Sequence, residues 1–148
     1  MHAWDVSPSE AIAIQQRLRP LVGQAPSIVL DDVRTIAGID ASYKDGGRAA
    51  IVVLSYPDLR PLDAAVAFLP SVFPYVPGLL TFREGPVVLA AMDRLTVRPD
   101  LLLFDGQGIA HPRRLGLASH LGVYLDMPSI GCALSLIHIS EPTRQAEI

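Results

Sequence analysis

The architecture of this chain is indicated most clearly by Leu101-Leu-Leu-Phe-Asp-Gly-Gln-Gly-Ile-Ala-His-Pro-Arg-Arg-Leu-Gly-Leu-Ala-Ser-His120. The apolar run Leu101 to Phe104 predicts a buried strand that ends on Asp105. Two glycines, a histidine and two arginines follow, and a segment with helical spacing comes after them. A carboxylate at the end of a strand, with open backbone and positive charge beside it, is what metal-assisted phosphate chemistry requires.

The segments on both sides of this stretch predict an α/β fold. Ser7, Pro8 and Glu10 form a capping pattern, so a helix is expected to begin there and to end by Gly23. Strands are expected at residues 35–43, 49–56, 62–69, 100–104 and 129–133, with further helices at 86–95 and 112–121. A helix, a three-strand meander and then alternating helix and strand indicate a mixed sheet with helices packed on it.

The composition predicts one globular domain, over residues 1–133. The 148 residues are 50% hydrophobic, yet no apolar run approaches the roughly 20 residues of a membrane span. No signal peptide is visible, and Cys132 is the single cysteine, so a reducing, cytoplasmic location is expected. The net charge of −3 argues against a protein that coats nucleic acid. A local basic patch is still possible, formed by Lys44, Arg83, Arg113 and Arg114.

The last residues, Leu134–Ile148, do not continue this pattern. The text Leu-Ser-Leu-Ile-His-Ile-Ser-Glu-Pro-Thr-Arg resembles a translated sequencing-library adapter, and the alternative is a genuine short tail. Residues 134–148 are therefore expected to lie outside the domain, and they receive no functional role.

Three carboxylates are candidates for a metal site. Asp40 ends an apolar run and either caps the following turn or binds a divalent cation. With Asp105 in a comparable place, the cation is favoured, because neighbouring strands can share a hard ion between two carboxylates. Glu84 either lies just before a helix, where it favours the positive end of the dipole, or acts as a third ligand or a base.

Other candidates surround these acids. His111 is structural or lies at a helix start that attracts phosphate, and Arg113 and Arg114 are surface charges or phosphate contacts. Tyr75 lies between two prolines, so it is either part of a rigid surface loop or a stiff aromatic wedge for a base stack.

Taken together, these segments resemble the endonuclease V family, which nicks nucleic acid near deaminated bases. The resemblance runs from about residue 8 to Ala133. It rests on Ala37-Gly-Ile-Asp40, Pro74-Tyr-Val-Pro-Gly78, Leu80-Thr-Phe-Arg-Glu84, residues 99–116 with Asp-Gly-Gln-Gly-Ile-Ala-His-Pro-Arg-Arg, Ala118-Ser-His120 and Pro128-Ser-Ile-Gly131.

The resemblance implies an RNase H-like fold: a mixed central β-sheet, with an antiparallel meander plus parallel strands, flanked by helices and incomplete at the C-terminus. It implies Mg²⁺ as cofactor, with Mn²⁺ as a substitute. The implied reaction of DNA repair nicks the second phosphodiester bond 3′ to deoxyinosine or another deaminated base, and some members prefer inosine in RNA. No protein partner is predicted.

Matched residue by residue, the resemblance implies that Asp40 and Asp105 bind metal and that Glu84 is catalytic. Tyr75 matches the wedge, and His111 the histidine of the family string. The implied base pocket is formed by Leu80, Gly106, Gly108, Gly116 and Ala133, and Arg83 and Arg113 are added as substrate contacts. The family continues Gly-Val-Ala-Lys and well beyond, whereas this chain reads Gly131-Cys-Ala-Leu134.

Three functions therefore stay open. The first is a Mg²⁺-dependent deoxyinosine endonuclease, and the second is an inosine-specific ribonuclease. The third is a nucleic-acid-binding fragment without turnover, which the absent lysine motivates.

Overall fold

The chain forms a five-stranded mixed sheet with helices on it. The computed structural model describes residues 1–24, 28–70 and 73–133, so the expected tail at 134–148 lies outside the described residues. In chain order, its helices and strands are α1 (Pro8–Leu18), β1 (Thr35–Ser42), β2 (Gly47–Ser55), β3 (Pro61–Leu69), α2 (Leu80–Met92), β4 (Leu101–Asp105), α3 (Leu117–Leu125) and β5 (Ser129–Cys132).

The strand order β3-β2-β1-β4-β5 confirms the predicted mixed sheet. β1, β2 and β3 form the antiparallel meander, and β4 and β5 join it in parallel. Parallel neighbours need a crossover, which α2 and α3 supply. Every predicted strand is present, with bounds that differ by one or two residues; Asp40 lies inside β1, not at its end.

The core lies between one face of the sheet and the helices α2 and α3. Alternate residues of β2 are buried, as the period of a half-buried strand requires, and Ile51 and Val53 are almost inaccessible. They pack with Val88 of α2 and Leu121 of α3 in one cluster. On the opposite face, the described part of the chain leaves Val52, Val66 and Phe68 exposed.

Helix α1 packs outside this layer through a second cluster. Its predicted start is confirmed: the Ser7 side chain accepts from the Glu10 N–H, and the Glu10 carboxylate accepts from the Ser7 N–H. Ala11, Ile14 and Leu18 of α1 pack against residues that include Phe82 and Leu115.

The predicted start of α2 at Pro86 is wrong by about two turns. The helix begins at Leu80 and contains Pro86, so Glu84 lies within it, not before it. A proline inside a helix withholds the N–H that the carbonyl four residues earlier would accept. Burial of Phe82 and Thr81 offsets this loss, and the Tyr43 hydroxyl donates to the adjacent carbonyl of Arg83.

The predicted start of α3 at Pro112 is also wrong. Residues 109–116 form turns, and Arg114 has a φ of 56°, a left-handed conformation that a helix does not admit. The helix starts at Leu117 instead. His111 is therefore in a turn and not at a helix start, so it gains nothing from a helix dipole. No described helix is long and apolar enough to cross a bilayer.

Candidate active site

Two of the predicted acids are neighbours because β1 and β4 pair in parallel. The register places Ile39 opposite Phe104, and both of these side chains enter the core. The next residue on each strand is an aspartate, so Asp40 and Asp105 lie side by side at the same level of the sheet. Both are exposed to solvent.

Helix α2 brings Glu84 into the range of both aspartates. Burial, followed by the negative charges of Asp40 and Asp105, raises the pKa of Glu84 to about 7, while the Arg83 guanidinium acts in the opposite direction. A carboxyl with this pKa is ionised in about half the molecules at neutral pH. The structure thus brings all three predicted acids together.

The donor chemistry of this site fits a hard divalent cation. Its three side chains offer only carboxylate oxygens, which Mg²⁺ prefers. After burial, the charges of Asp40 and Asp105 contribute to the raised pKa of Glu84, and a cation would neutralise them. Within the ranges that the structure describes, no three His, Cys, Asp or Glu side chains converge closely enough to hold an ion as they stand. The acids are neighbours whose side chains would have to turn toward a common point.

Arg83 lies between two tyrosine rings. Its guanidinium carbon is 4.8 Å from the ring centroid of Tyr43 and 5.9 Å from that of Tyr75, both within cation–π range. The Tyr43 hydroxyl donates to the Arg83 carbonyl, so Tyr43 also supports the helical turn that carries Glu84. Burial and the charge of Glu84 raise the pKa of Tyr43. Sequence reasoning missed Tyr43, although it follows Asp40 by three residues.

A cavity of about 450 Å³ opens beside Asp105. Tyr75, whose side chain is 71% exposed, lies at its rim. Four of the five residues predicted for the base pocket line it, namely Leu80, Gly106, Gly116 and Ala133, and so do the predicted wedge Tyr75 and His111. The other lining residues are Val76, Pro77, Gly78, Thr81, Gln107 and Leu117, besides Asp105. Gly108 lies instead on the wall of a neighbouring cavity of about 810 Å³, which Ala133 also lines.

Closely approaching main chain lies where the two cavities adjoin: Gly106 and Gly116 line the smaller one, and Gly108 and Gly131 line the larger one. A Cβ at Gly131 would be 2.5 Å from the carbonyl oxygen of Gly106 and 2.6 Å from the amide nitrogen of Gly108. A Cβ at Gly116 would be 2.7 Å from the carbonyl carbon of Gln107. The loop after β4 is therefore held against β5 and the start of α3 with no room for side chains.

His111 and Arg113 lie behind the segment that carries Tyr75. His111 Nε2 donates to the Gly78 carbonyl at 2.8 Å, and Arg113 Nη2 donates to the same oxygen at 2.9 Å. The Arg113 N–H donates to His111 Nδ1, which is the pattern of a neutral ring protonated at Nε2. Burial lowers the pKa of His111, in agreement with that state. The predicted substrate contacts of these two residues stay predictions.

Gln15 completes this cluster and was missed by sequence reasoning. Its side chain is fully buried, its Nε2 donates to the Gly78 carbonyl at 2.9 Å, and its Oε1 accepts from Arg113 Nε. A signal was present in the sequence. Gln15 lies four residues after Ala11 and three before Leu18, which places it on the buried stripe of α1.

A second missed cluster packs behind α2. Trp4 lies against Gly85, where an added Cβ would be 2.7 Å from the indole ring. Nε2 of the buried His120 is 2.8 Å from Nε2 of His2, and the ring of Trp4 stacks on that of His120 with centroids 5.5 Å apart. Burial lowers the pKa of His120 to about 3. The N-terminal residues thereby contact the helix that carries Glu84.

Comparisons with known proteins agree with this geometry. A family model described as Endonuclease V matches residues 16–147. Endonuclease V of Methanothrix thermoacetophila is 54% identical over 136 residues, which are 91% of this chain and 59% of that protein. Endonuclease V of Roseiflexus castenholzii is 52% identical over 137 residues, which are 92% of this chain and 61% of that protein. The chain thus spans about three-fifths of the length of these curated relatives.

Solved structures of the same family superimpose on the chain. Endonuclease V of Streptomyces avermitilis gives a TM-score of 0.77 at 44% identity, covering 88% of this chain and 59% of that one. A second structure is Ciona intestinalis endonuclease V in complex with a 24mer DNA containing an inosine followed by a ribo-adenosine. It gives a TM-score of 0.69 at 31% identity, covering 84% of this chain and 56% of that one. Endonuclease V structures have an RNase H-like fold, which confirms the predicted fold class.

Proposed function

Because the chain belongs to the endonuclease V family, we propose that it is the nuclease part of an enzyme that nicks nucleic acid next to inosine. The observation that carries the proposal is the parallel pairing of β1 and β4, which aligns Asp40 with Asp105 beside a cavity. The relatives named above are nucleases, and phosphodiester hydrolysis is the chemistry that paired carboxylates support in such sites.

Asp40 and Asp105 would hold the Mg²⁺, and Mn²⁺ would substitute for it. The ion, when bound, supplies Lewis acidity and lowers the pKa of coordinated water. Glu84 contributes a carboxyl with a pKa near 7, so its ionised form can accept a proton from the attacking water at neutral pH.

The cavity beside Asp105 is proposed to receive the flipped base. A base taken out of the stack is read by hydrogen bonds to its edge, and the main-chain groups of the loop after β4 can provide them. Tyr75 at the rim would fill the space that the base leaves, as an aromatic wedge does. Leu80 supplies an apolar contact on the cavity wall, and Arg83 lies close enough to Tyr75 to stabilise its ring.

The proposed substrate is DNA containing deoxyinosine or another deaminated base, cut at the second phosphodiester bond on the 3′ side. The Ciona intestinalis complex with inosine-containing DNA supports this substrate. Its ribo-adenosine after the inosine also favours a second candidate function, cleavage of inosine-containing RNA. Strands with deoxyinosine or inosine at one position, offered in competition, would separate these two functions.

The proposal is tested by incubating the protein with a 5′-labelled strand that contains one deoxyinosine, in Mg²⁺, and sizing the product. We expect a single nick in the parent and in Asp58→Asn, a matched variant at an exposed turn. Asp105→Ala should be inert, because one of the paired carboxylates is lost. Equal nicking by Asp105→Ala would contradict the site. Lesion binding without product in Mn²⁺ would support the non-catalytic alternative.

A further inference from the structure

Gln15 is a buried polar residue with no place in the proposed chemistry. It lies in α1 beside Ile14 and Leu18, with 0% of its surface exposed, and it does not line the cavity. A buried amide is costly unless its hydrogen bonds are made, and both ends of this one are bonded within the protein. An apolar side chain of similar size would fill this site without that cost. The role of the amide is therefore to orient the groups to which it is hydrogen-bonded.

One of these groups is the carbonyl of Gly78, to which the Gln15 amide donates. The oxygen is approached by three donors, at 2.9 Å from Gln15, 2.8 Å from His111 and 2.9 Å from Arg113. These are more donors than a carbonyl has lone pairs, so the oxygen is held from several sides. Gly78 has a φ of 82°, a conformation that glycine adopts without steric cost.

Gly78 closes the segment Phe73–Leu79 that carries Tyr75. Leu79, the N-cap of α2, has no side-chain cap hydrogen bond, and its N–H donates to the Val76 carbonyl at 3.0 Å within the segment. The Gly78 carbonyl is the point at which side chains from α1 and from the loop after β4 hold the segment. The Tyr75 side chain is 71% exposed, and its contact with Arg83 at 5.9 Å leaves the main chain of the segment to set where the ring lies. The position of its ring therefore depends on where the Gly78 carbonyl is fixed.

We propose that Gln15 is a positioning residue for base recognition, which holds the Tyr75 segment at the rim of the cavity through Gly78 and Arg113. The inference rests on the proposed function. Gln15 touches no substrate in this proposal. It acts by lowering the number of conformations that Tyr75 samples before it enters the base stack, which is preorganisation of the binding site.

The test compares Gln15→Met, which keeps the size and removes both hydrogen bonds, with Gln16→Met on the exposed side of the same helix. Binding is measured without divalent metal to two duplexes, one with a deoxyinosine followed by 2-aminopurine and one with adenine in place of the deoxyinosine. We expect Gln15→Met to weaken lesion binding about tenfold, the value of one or two buried hydrogen bonds. Binding to the adenine duplex and the behaviour of Gln16→Met should stay unchanged.

Two further readouts separate positioning from a general loss of structure. The rise in 2-aminopurine fluorescence on binding reports unstacking, and it should be lost in Gln15→Met. In a Tyr75→Ala background, Gln15→Met should have no additional effect, because both changes act on one step. Trp4 fluorescence reports folding of each variant. Gln15→Glu, which keeps the acceptor for Arg113 and loses the donor to Gly78, serves if the methionine variant unfolds.

The outcomes are distinct. A parent that binds both duplexes equally overturns the proposed function and this inference with it. If the parent prefers the deoxyinosine duplex and Gln15→Met shows the same preference, the inference alone is overturned. The inference is also overturned if Gln15→Met weakens binding to both duplexes equally, since that indicates a structural role. The same holds if Gln15→Met weakens lesion binding as much in the Tyr75→Ala background as in the parent.

Discussion

The free energy of unfolding should depend on pH through two buried groups that act in opposite directions, His120 and Glu84. His120 has a pKa of about 3 in the folded protein and the ordinary 6.5 when unfolded. Below pH 6.5 the unfolded chain therefore takes up a proton that the folded one refuses, and stability is lost as the pH falls. Between pH 7 and pH 5 this loss amounts to about 2 kcal/mol.

Glu84 has the reverse sign. Its pKa is raised to about 7 in the folded protein, against 4.5 in the unfolded chain. Between these values the folded state binds a proton that the unfolded state does not, so stability is gained as the pH falls. From pH 7 to pH 5 the gain is again about 2 kcal/mol. The two contributions largely cancel in the parent protein, and single variants should separate them.

The experiment is urea unfolding at pH 7 and pH 5, in EDTA and at constant ionic strength, followed by the fluorescence of Trp4, the single tryptophan. Relative to the parent, His120→Gln should gain about 2 kcal/mol on going to pH 5, and Glu84→Gln should lose about 2 kcal/mol. His111 also has a lowered pKa, but it is present in all three proteins with its contacts intact. His2, whose pKa is lowered as well, is bonded to His120, and the glutamine of His120→Gln keeps an amide that can bond to it.

A clear result would refute the reasoning. If His120→Gln follows the parent at both pH values, the buried imidazole does not resist protonation, and the described packing of His2, Trp4 and His120 is wrong. If Glu84→Gln follows the parent, the aspartates do not act on Glu84. Asp58→Asn, at an exposed turn, should follow the parent and serves as the control.

Three other changes have defined outcomes. Gly85→Ala should destabilise the protein by about 1–3 kcal/mol and shift the emission of Trp4, because the indole ring occupies the place of the new methyl group; an unshifted spectrum would contradict this contact. Tyr43→Phe should lower the free energy of unfolding by about 1 kcal/mol, since the carbonyl of Arg83 loses its hydroxyl donor, and urea unfolding measures it. Gly131→Ala should displace the loop after β4 and abolish lesion discrimination in a duplex-binding assay, while far-UV circular dichroism stays unchanged.

Much of the fold could be predicted because its signals are local. The strands are apolar runs between turn residues, and the cap of α1 is a four-residue pattern. The adjacency of Asp40 and Asp105 was accessible for a similar reason, since each directly follows a buried strand residue. The start of α2 was not accessible, because Pro86 has the sequence signature of a first helical residue and only the burial of Thr81 and Phe82 extends the helix backward.

The missed parts of the site depend on contacts between residues far apart in the chain. Gln15 and Arg113 are 98 positions apart, and His2 and His120 are 118 positions apart. Polar side chains at such positions are usual on a surface, so the sequence alone favours solvent exposure. Periodicity could have placed Gln15 on the buried stripe, but only the fold identifies its partners.

The close-packed main chain around Gly116, on the smaller cavity, and Gly131, on the larger one, has a consequence for how such a site can evolve. Where a pocket is lined by side chains, single substitutions alter its shape in small steps and new ligands can be explored. Here a single added carbon at either glycine meets backbone atoms, at 2.7 Å or less in each case, which cannot move aside as a side chain would. Variation in what these cavities accept must therefore come from loops of different length, or from side chains of the smaller one such as Tyr75 and Leu80.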